Sequence, residues 1–127
     1  TPTPFHFGEM ITTAVAKYDG SAYAGGPTGE NRGETTPVTE FGIANGFGLS
    51  EMHGNVWEWC QDHWHQNYKD APTDGRAWTE GGDSDRRVLR GGSWTDAPRY
   101  CRSAMRSHNT PDNRFSNNGF RVVVAPQ

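Results

Sequence analysis

Lysine is nearly missing from this chain. Lys17 and Lys69 are its only two among 12 basic residues, which face 15 acids for a formal net charge of -3. No lysine-rich arm exists, so the positive footprint that neutralises phosphates is lacking and nucleic acid is not an expected partner. Long apolar runs are also absent: none approaches the roughly 18 residues of a bilayer span. The first residues do not read as a secretory signal, so no membrane partner is expected. Cysteine is sparse. Cys60 and Cys101 either form one disulfide or stay as two reduced thiols, and the pair does not fix a compartment, although the cytoplasm is slightly favoured. Aliphatic residues are too few for an ordinary core, since only 32% of the chain is hydrophobic.

Large rings take their place. Five Trp, six Phe and four Tyr can each bury about 150–250 Å², which is enough for one domain of 127 residues. Sixteen Gly and eight Pro point to turns and irregular backbone. The expected fold class is α+β, a small twisted antiparallel sheet with few short helices and long loops.

Thr1 to Phe7, with two prolines, reads as a tail or an entering extended segment. Glu9–Tyr18 reads as a strand or irregular segment, and Asp19–Thr36 as a Gly-rich surface connection. Asn45-Gly46 with Gly48 marks a tight turn. Ser50 can open one helical turn that Gly54 ends, followed by a strand through Val56, Trp57 and Trp59. Gln61–Asp85 is expected to be a second long surface loop, with Asp83 and Asp85 in a surface turn ahead of Arg86 and Arg87. Strand character resumes at Arg87–Arg90 and is strongest at Phe120–Val124.

Between those last two runs lies a stretch that no ordinary core would accept, crowded with Arg, Asn, Ser, Asp and aromatics. Arg90-Gly91-Gly92-Ser93-Trp94 lacks the ending of a phosphate loop and reads as a tight strand-edge bend. Arg102, Arg106, Arg114 and Arg121 read either as an anion site or, preferably, as a network pairing with Asp112, Glu58 or main-chain carbonyls. His63 and His65 are too few for a zinc site and read as surface histidines.

Four ordered motifs are specific: Gly54-Asn55-Val56-Trp57-Glu58-Trp59, Arg90-Gly91-Gly92-Ser93-Trp94, Cys101-Arg102-Ser103-Ala104 and Gly119-Phe120-Arg121-Val122. On these the chain resembles the formylglycine-generating, sulfatase-modifying enzyme family over about Thr35 to Val124. The resemblance implies a C-type-lectin-like fold, and a single domain, 1–127, that is the C-terminal part of that family's domain or a trimmed version. A larger multidomain parent is expected. The resembled oxidases hold copper with a cysteine pair in the loop after the Gly-Gly-Ser-aromatic motif. That loop here, Thr95 to Tyr100, has no cysteine, so no copper is expected. The resemblance also implies a calcium site at Glu51, Gly54, Val56 and Glu58, oxygen donors of the kind calcium takes; the alternative is that Glu58 pairs with an arginine.

The stretch 88–124 further resembles the variable region of proteins diversified by retroelements, in which adenine-directed mutagenesis rewrites chosen codons on a fixed lectin-like scaffold. The positions between the scaffold words are Thr95, Asp96, Ala97, Arg99, Tyr100, Met105, Ser107, His108, Asn109, Thr110, Phe115, Ser116 and Asn117. Several are types that adenine changes in an asparagine codon yield. The reading that follows is a non-enzymatic module displaying these residues to an unknown ligand, expected to be a protein. Tyr100 and Phe115 would be aromatic anchors, Arg99 and His108 charged contacts, and the Ser and Asn residues adaptable hydrogen bonders. The rival is a copper oxidase or related enzyme of the same family, completed by residues outside this chain.

Overall fold

A computed structural model describes residues 2–124. Its regular part is one four-stranded sheet in the order β3-β2-β1-β4. The strands are β1 (Trp57–Trp64), β2 (Asp83–Arg90), β3 (Arg106–Asn109) and β4 (Asn118–Gly119). β1 and β2 run antiparallel, pairing Glu58 with Arg90 and Trp59 with Leu89, before irregularities shift the register toward His63–Arg87 and Trp64–Asp83. β3 continues antiparallel on β2, from Arg90–Arg106 to Arg87–Asn109. β4, however, is parallel to β1. The sheet is therefore mixed rather than antiparallel. Among the described residues the only helix is a single 3-10 turn, Pro98–Cys101, opened by a proline that needs no N–H there.

Four other expectations change. The helical turn at Ser50–His53 does not form, because Glu51 within it takes positive φ and a helix needs negative φ throughout. The supposed loop Gln61–Asp85 gives its first residues to β1 and its last to β2. Charged Asp83 and Asp85 sit in a strand because its far end is exposed. Phe120–Val124 is not strand at all: pairing with β1 ends at Gly119, and Phe120, Val122, Val123 and Val124 stay exposed. Their β-branched pattern describes strand propensity, which without a neighbouring strand has nothing to pair with.

The first residues are the largest departure. Phe5 is 0% exposed and, with Ile11, Ala16, Tyr18 and Cys101, forms the buried cluster, against which Phe7 and Tyr23 pack. Tyr23 meets Phe5 edge-on at 5.2 Å. Fully burying such a ring contributes roughly 1.5–3 kcal/mol, so this segment is core rather than tail. A second buried site lies in β2, where the adjacent residues Val88 and Leu89 are both buried. Consecutive strand residues face opposite sides, so both faces of the sheet are covered at this end.

Candidate functional site

The site is best built outward from Asn55. Asn tolerates positive φ better than other non-glycine residues, and Asn55 has φ +67. All its polar groups are used. Its main-chain N–H donates to Lys17 O at 2.7 Å and its carbonyl accepts from Trp94 N–H at 2.9 Å. Its side-chain oxygen accepts from Thr36 N–H at 3.0 Å, and its amide donates to Thr36 O at 3.1 Å. One buried residue thus ties three loops together. The sequence marks it only as a motif letter; the preceding Gly54, with φ +84 and no room for a Cβ against the Lys17 carbonyl, is the signal that the backbone turns sharply here.

From Trp94 the chain enters the loop Thr95–Tyr100, held by Ser93, which is fully buried. Its hydroxyl donates to the Asp96 carboxylate. That uses its one proton, so the Thr95 hydroxyl, 2.9 Å away, donates to it. The Asn117 amide adds bonds to Ser93 Oγ at 3.3 Å and Thr95 Oγ1 at 3.2 Å. Main-chain bonds brace the same region: Asp19 N–H to Asp96 O at 3.0 Å and Trp57 N–H to Asn117 O at 2.7 Å. Thr95, Asp96 and Asn117, far apart in sequence, are therefore one cluster.

The other positions form smaller groups. Ala97 precedes the 3-10 turn. On that turn the Arg99 guanidinium lies 4.5 Å from the Tyr100 ring centroid and donates to its hydroxyl at 2.9 Å. Ser107 and Asn109 share one face of β3, while His108 alternates to the other, its ring 4.3 Å from Trp64. Burial and the neighbouring Arg86 lower the His108 pKa. Asn109 Oδ1 accepts from Thr110 N–H at 2.9 Å, and the Asn113 amide donates to both Asn109 and Thr110. Phe115 is 56% exposed, Ser116 is exposed and Met105 half-buried. None of the thirteen is buried; within 88–124 the buried residues are Val88, Leu89, Gly92, Ser93, Pro98 and Cys101.

The arginines act largely as a network. Arg121 donates to both Glu58 carboxylate oxygens at 2.6 Å and reaches the carbonyls of Ser50 at 3.1 Å and Glu51 at 3.3 Å. Arg106 lies between Trp64, 4.7 Å away, and Tyr68, 4.4 Å away, and donates to His65 O at 2.9 Å. Arg102 donates to Arg99 O at 2.8 Å.

This bears on calcium. Glu51 keeps one buried carboxylate oxygen without a hydrogen-bond partner, and burial raises its pKa. Yet both oxygens of Glu58 are taken by a guanidinium that also occupies nearby carbonyls. Calcium asks for six to eight oxygen ligands, and in this arrangement Glu58, paired with Arg121, offers it no free oxygen. Among the described residues no three His, Cys, Asp or Glu side chains converge as a metal site. Cys60 and Cys101 are separate thiols. Burial, then the charges of Asp96 and Asp19, pushes Cys101 up to about 12, and burial raises Cys60 as well.

Comparison with known proteins places this geometry. The model of the sulfatase-modifying factor enzyme 1-like domain matches residues 5–126. The chain is 43% identical to mouse (Mus musculus) formylglycine-generating enzyme over 94 residues, 71% of this chain and 24% of that protein. It is 36% identical to bovine (Bos taurus) inactive C-alpha-formylglycine-generating enzyme 2, over 69% of this chain and 26% of that one. Two solved structures are similar. PvdO from Pseudomonas aeruginosa has a TM-score of 0.72 at 36% identity, covering 92% of this chain and 43% of that one. Treponema denticola variable protein 1 has a TM-score of 0.58 at 31% identity, covering 84% and 34%. The chain spans about a quarter of the length of these curated relatives. With its motifs, its small mixed sheet and a family match over nearly its whole length, the chain belongs to the sulfatase-modifying factor enzyme 1-like family.

Proposed function

We propose that the chain is a ligand-binding member of this family, a C-type-lectin-like scaffold that displays the thirteen interspersed residues to a protein ligand. The observation that carries this reading is the division of labour within 88–124: every buried residue belongs to the scaffold, and every interspersed residue keeps some exposed surface. A surface whose side chains leave the core untouched can be rewritten without unfolding, which is what retroelement diversification requires. Tyr100 and Phe115 supply rigid aromatic area, and Ser107, Asn109, Ser116 and Asn117 adaptable polar contacts. Similarity to a variable protein and to an inactive paralogue supports a non-catalytic role, as do two thiols whose raised pKa values disfavour the thiolate that copper binds.

The test is a displayed library with the thirteen codons randomised. Most members should fold with melting temperatures near the parent's and yield binders to unrelated proteins; a library that is mostly unfolded would overturn the reading. A near-identical genomic copy of 88–124, with asparagine codons at these positions beside a reverse transcriptase, would be independent support. The enzyme reading rests on identity to formylglycine-generating enzyme. Stoichiometric copper binding together with oxidation of a cysteine-containing peptide would establish it and defeat ours.

A further inference from the structure

A cavity of about 1110 Å³ touches none of the thirteen positions. Its walls carry four arginines, Arg76, Arg90, Arg102 and Arg121, against two carboxylates, Glu58 and Asp62, in a chain that is acidic overall. The arginines are not equally engaged. Arg121 is neutralised by Glu58, and Arg76 has loose partners in Asp74 at 3.7 Å and Glu80 at 3.9 Å. Arg90 and Arg102 each give one donor to a carbonyl, of Ser103 and Arg99 respectively. Among the described residues neither has a carboxylate within ion-pairing distance. A guanidinium has five N–H donors in a planar fork, so most of their capacity faces no acid in the chain.

The groove is also apolar. Trp59 and Met52 line it, and Phe47, 90% exposed, and Val123, 83% exposed, stand at its edge. Its volume exceeds the about 300–1,000 Å³ usual for small-molecule pockets, which favours an extended segment. We propose that this groove binds an acidic peptide segment, with carboxylates received by Arg90 and Arg102 and apolar side chains covered by Phe47, Trp59 and Val123. The site is separate from the recognition face, and neither reading depends on the other.

The probe is a fluorescein-labelled peptide of about six residues alternating glutamate and phenylalanine, compared by fluorescence anisotropy with a lysine–phenylalanine counterpart. The acidic peptide should bind and weaken with added salt; the basic one should not. Arg90→Gln and Arg102→Gln should each weaken binding about tenfold, the loss expected for a charge-assisted contact, while Arg114→Gln, exposed and outside the groove, should leave it unchanged. Phe47→Glu guards against a folding artefact: its side chain is almost wholly in solvent, so the fold is spared while a carboxylate now repels the peptide, and binding should fall comparably. Equal binding of both peptides, no binding of the acidic one, or a loss caused by Arg99→Gln and not by the groove variants would overturn the proposal.

Discussion

Replacing Arg121 by alanine tests how much of the loop architecture hangs on a single guanidinium. The substitution removes two 2.6 Å charge-assisted bonds to Glu58 and the contacts to the carbonyls of Ser50 and Glu51. Breaking a fully buried pair costs about 3–5 kcal/mol, because an uncompensated charge stays inside. Here the side chains are 32% and 20% exposed, so water reaches the orphaned carboxylate and the expected loss is about 2–3 kcal/mol. For a domain of this size that lowers the melting temperature by roughly 6–15 °C. Urea unfolding followed by tryptophan fluorescence gives the free energy. A double-mutant cycle with Glu58→Gln should show a coupling of about 1 kcal/mol or more. Calcium supplies a second arm: it should leave the parent's melting temperature unchanged but raise that of Arg121→Ala, whose freed Glu58 can then serve an ion together with Glu51. A loss of about 0.5 kcal/mol or less, as for ordinary exposed pairs, or a calcium response in the parent, would refute the reasoning.

Stability should fall in mild acid through His53, which is buried; its Nδ1–H donates to Cys101 O at 2.7 Å and its Nε2 accepts from His6 N–H at 3.0 Å. Burial lowers its pKa, so the unfolded chain binds the proton first, and stability present at neutral pH is lost from about pH 6.5 down to the folded value, by at most about 1.4 kcal/mol per pH unit. Unfolding curves across that range should show a shallower acid loss in His53→Gln. Gly92→Ala should cost about 3 kcal/mol or more in urea unfolding: φ is +74, and the new Cβ would lie 2.6 Å from Cys101 Sγ and 2.9 Å from the Tyr100 carbonyl oxygen. Tyr100→Ala combined with Phe115→Ala should leave the melting temperature nearly unchanged while abolishing binding of any ligand selected on the parent; a large destabilisation would make those rings core.

That the thirteen interspersed residues stay out of the core was legible, because composition reports exposure. Ser, Asn, Thr and Arg between glycine- and tryptophan-rich words read as surface, and the structure keeps all thirteen out of the core. The bend at Gly91-Gly92 and the turn at Asn45-Gly46 were equally legible, since positive φ leaves a residue signature; Gly48 N–H returns to Asn45 O at 2.9 Å. What failed was whatever depends on partners distant in sequence. Phe5 read as part of a tail or an entering extended segment because the two prolines before it say nothing about Tyr23 and Cys101. Phe120–Val124 looked like the best strand because local propensity cannot reveal that β1 supplies no ladder past Gly119. The Asn55 hub was hidden for the same reason, its partners lying at Lys17, Thr36 and Trp94.

The bonds that brace the loops around residues 94–117 have a particular chemistry. Trp94 is held to Asn55, Asp96 to Asp19 and Asn117 to Trp57 entirely through main-chain N–H and C=O groups. In the links to Asp19 and Trp57, Asp96 and Asn117 use their carbonyls, a group every amino acid carries. A substitution at either position keeps that acceptor while giving up the side-chain bonds to Ser93 and Thr95. Part of the loop geometry therefore rests on atoms that a substitution does not alter, beside the side-chain bonds that Asp96 and Asn117 make to Ser93.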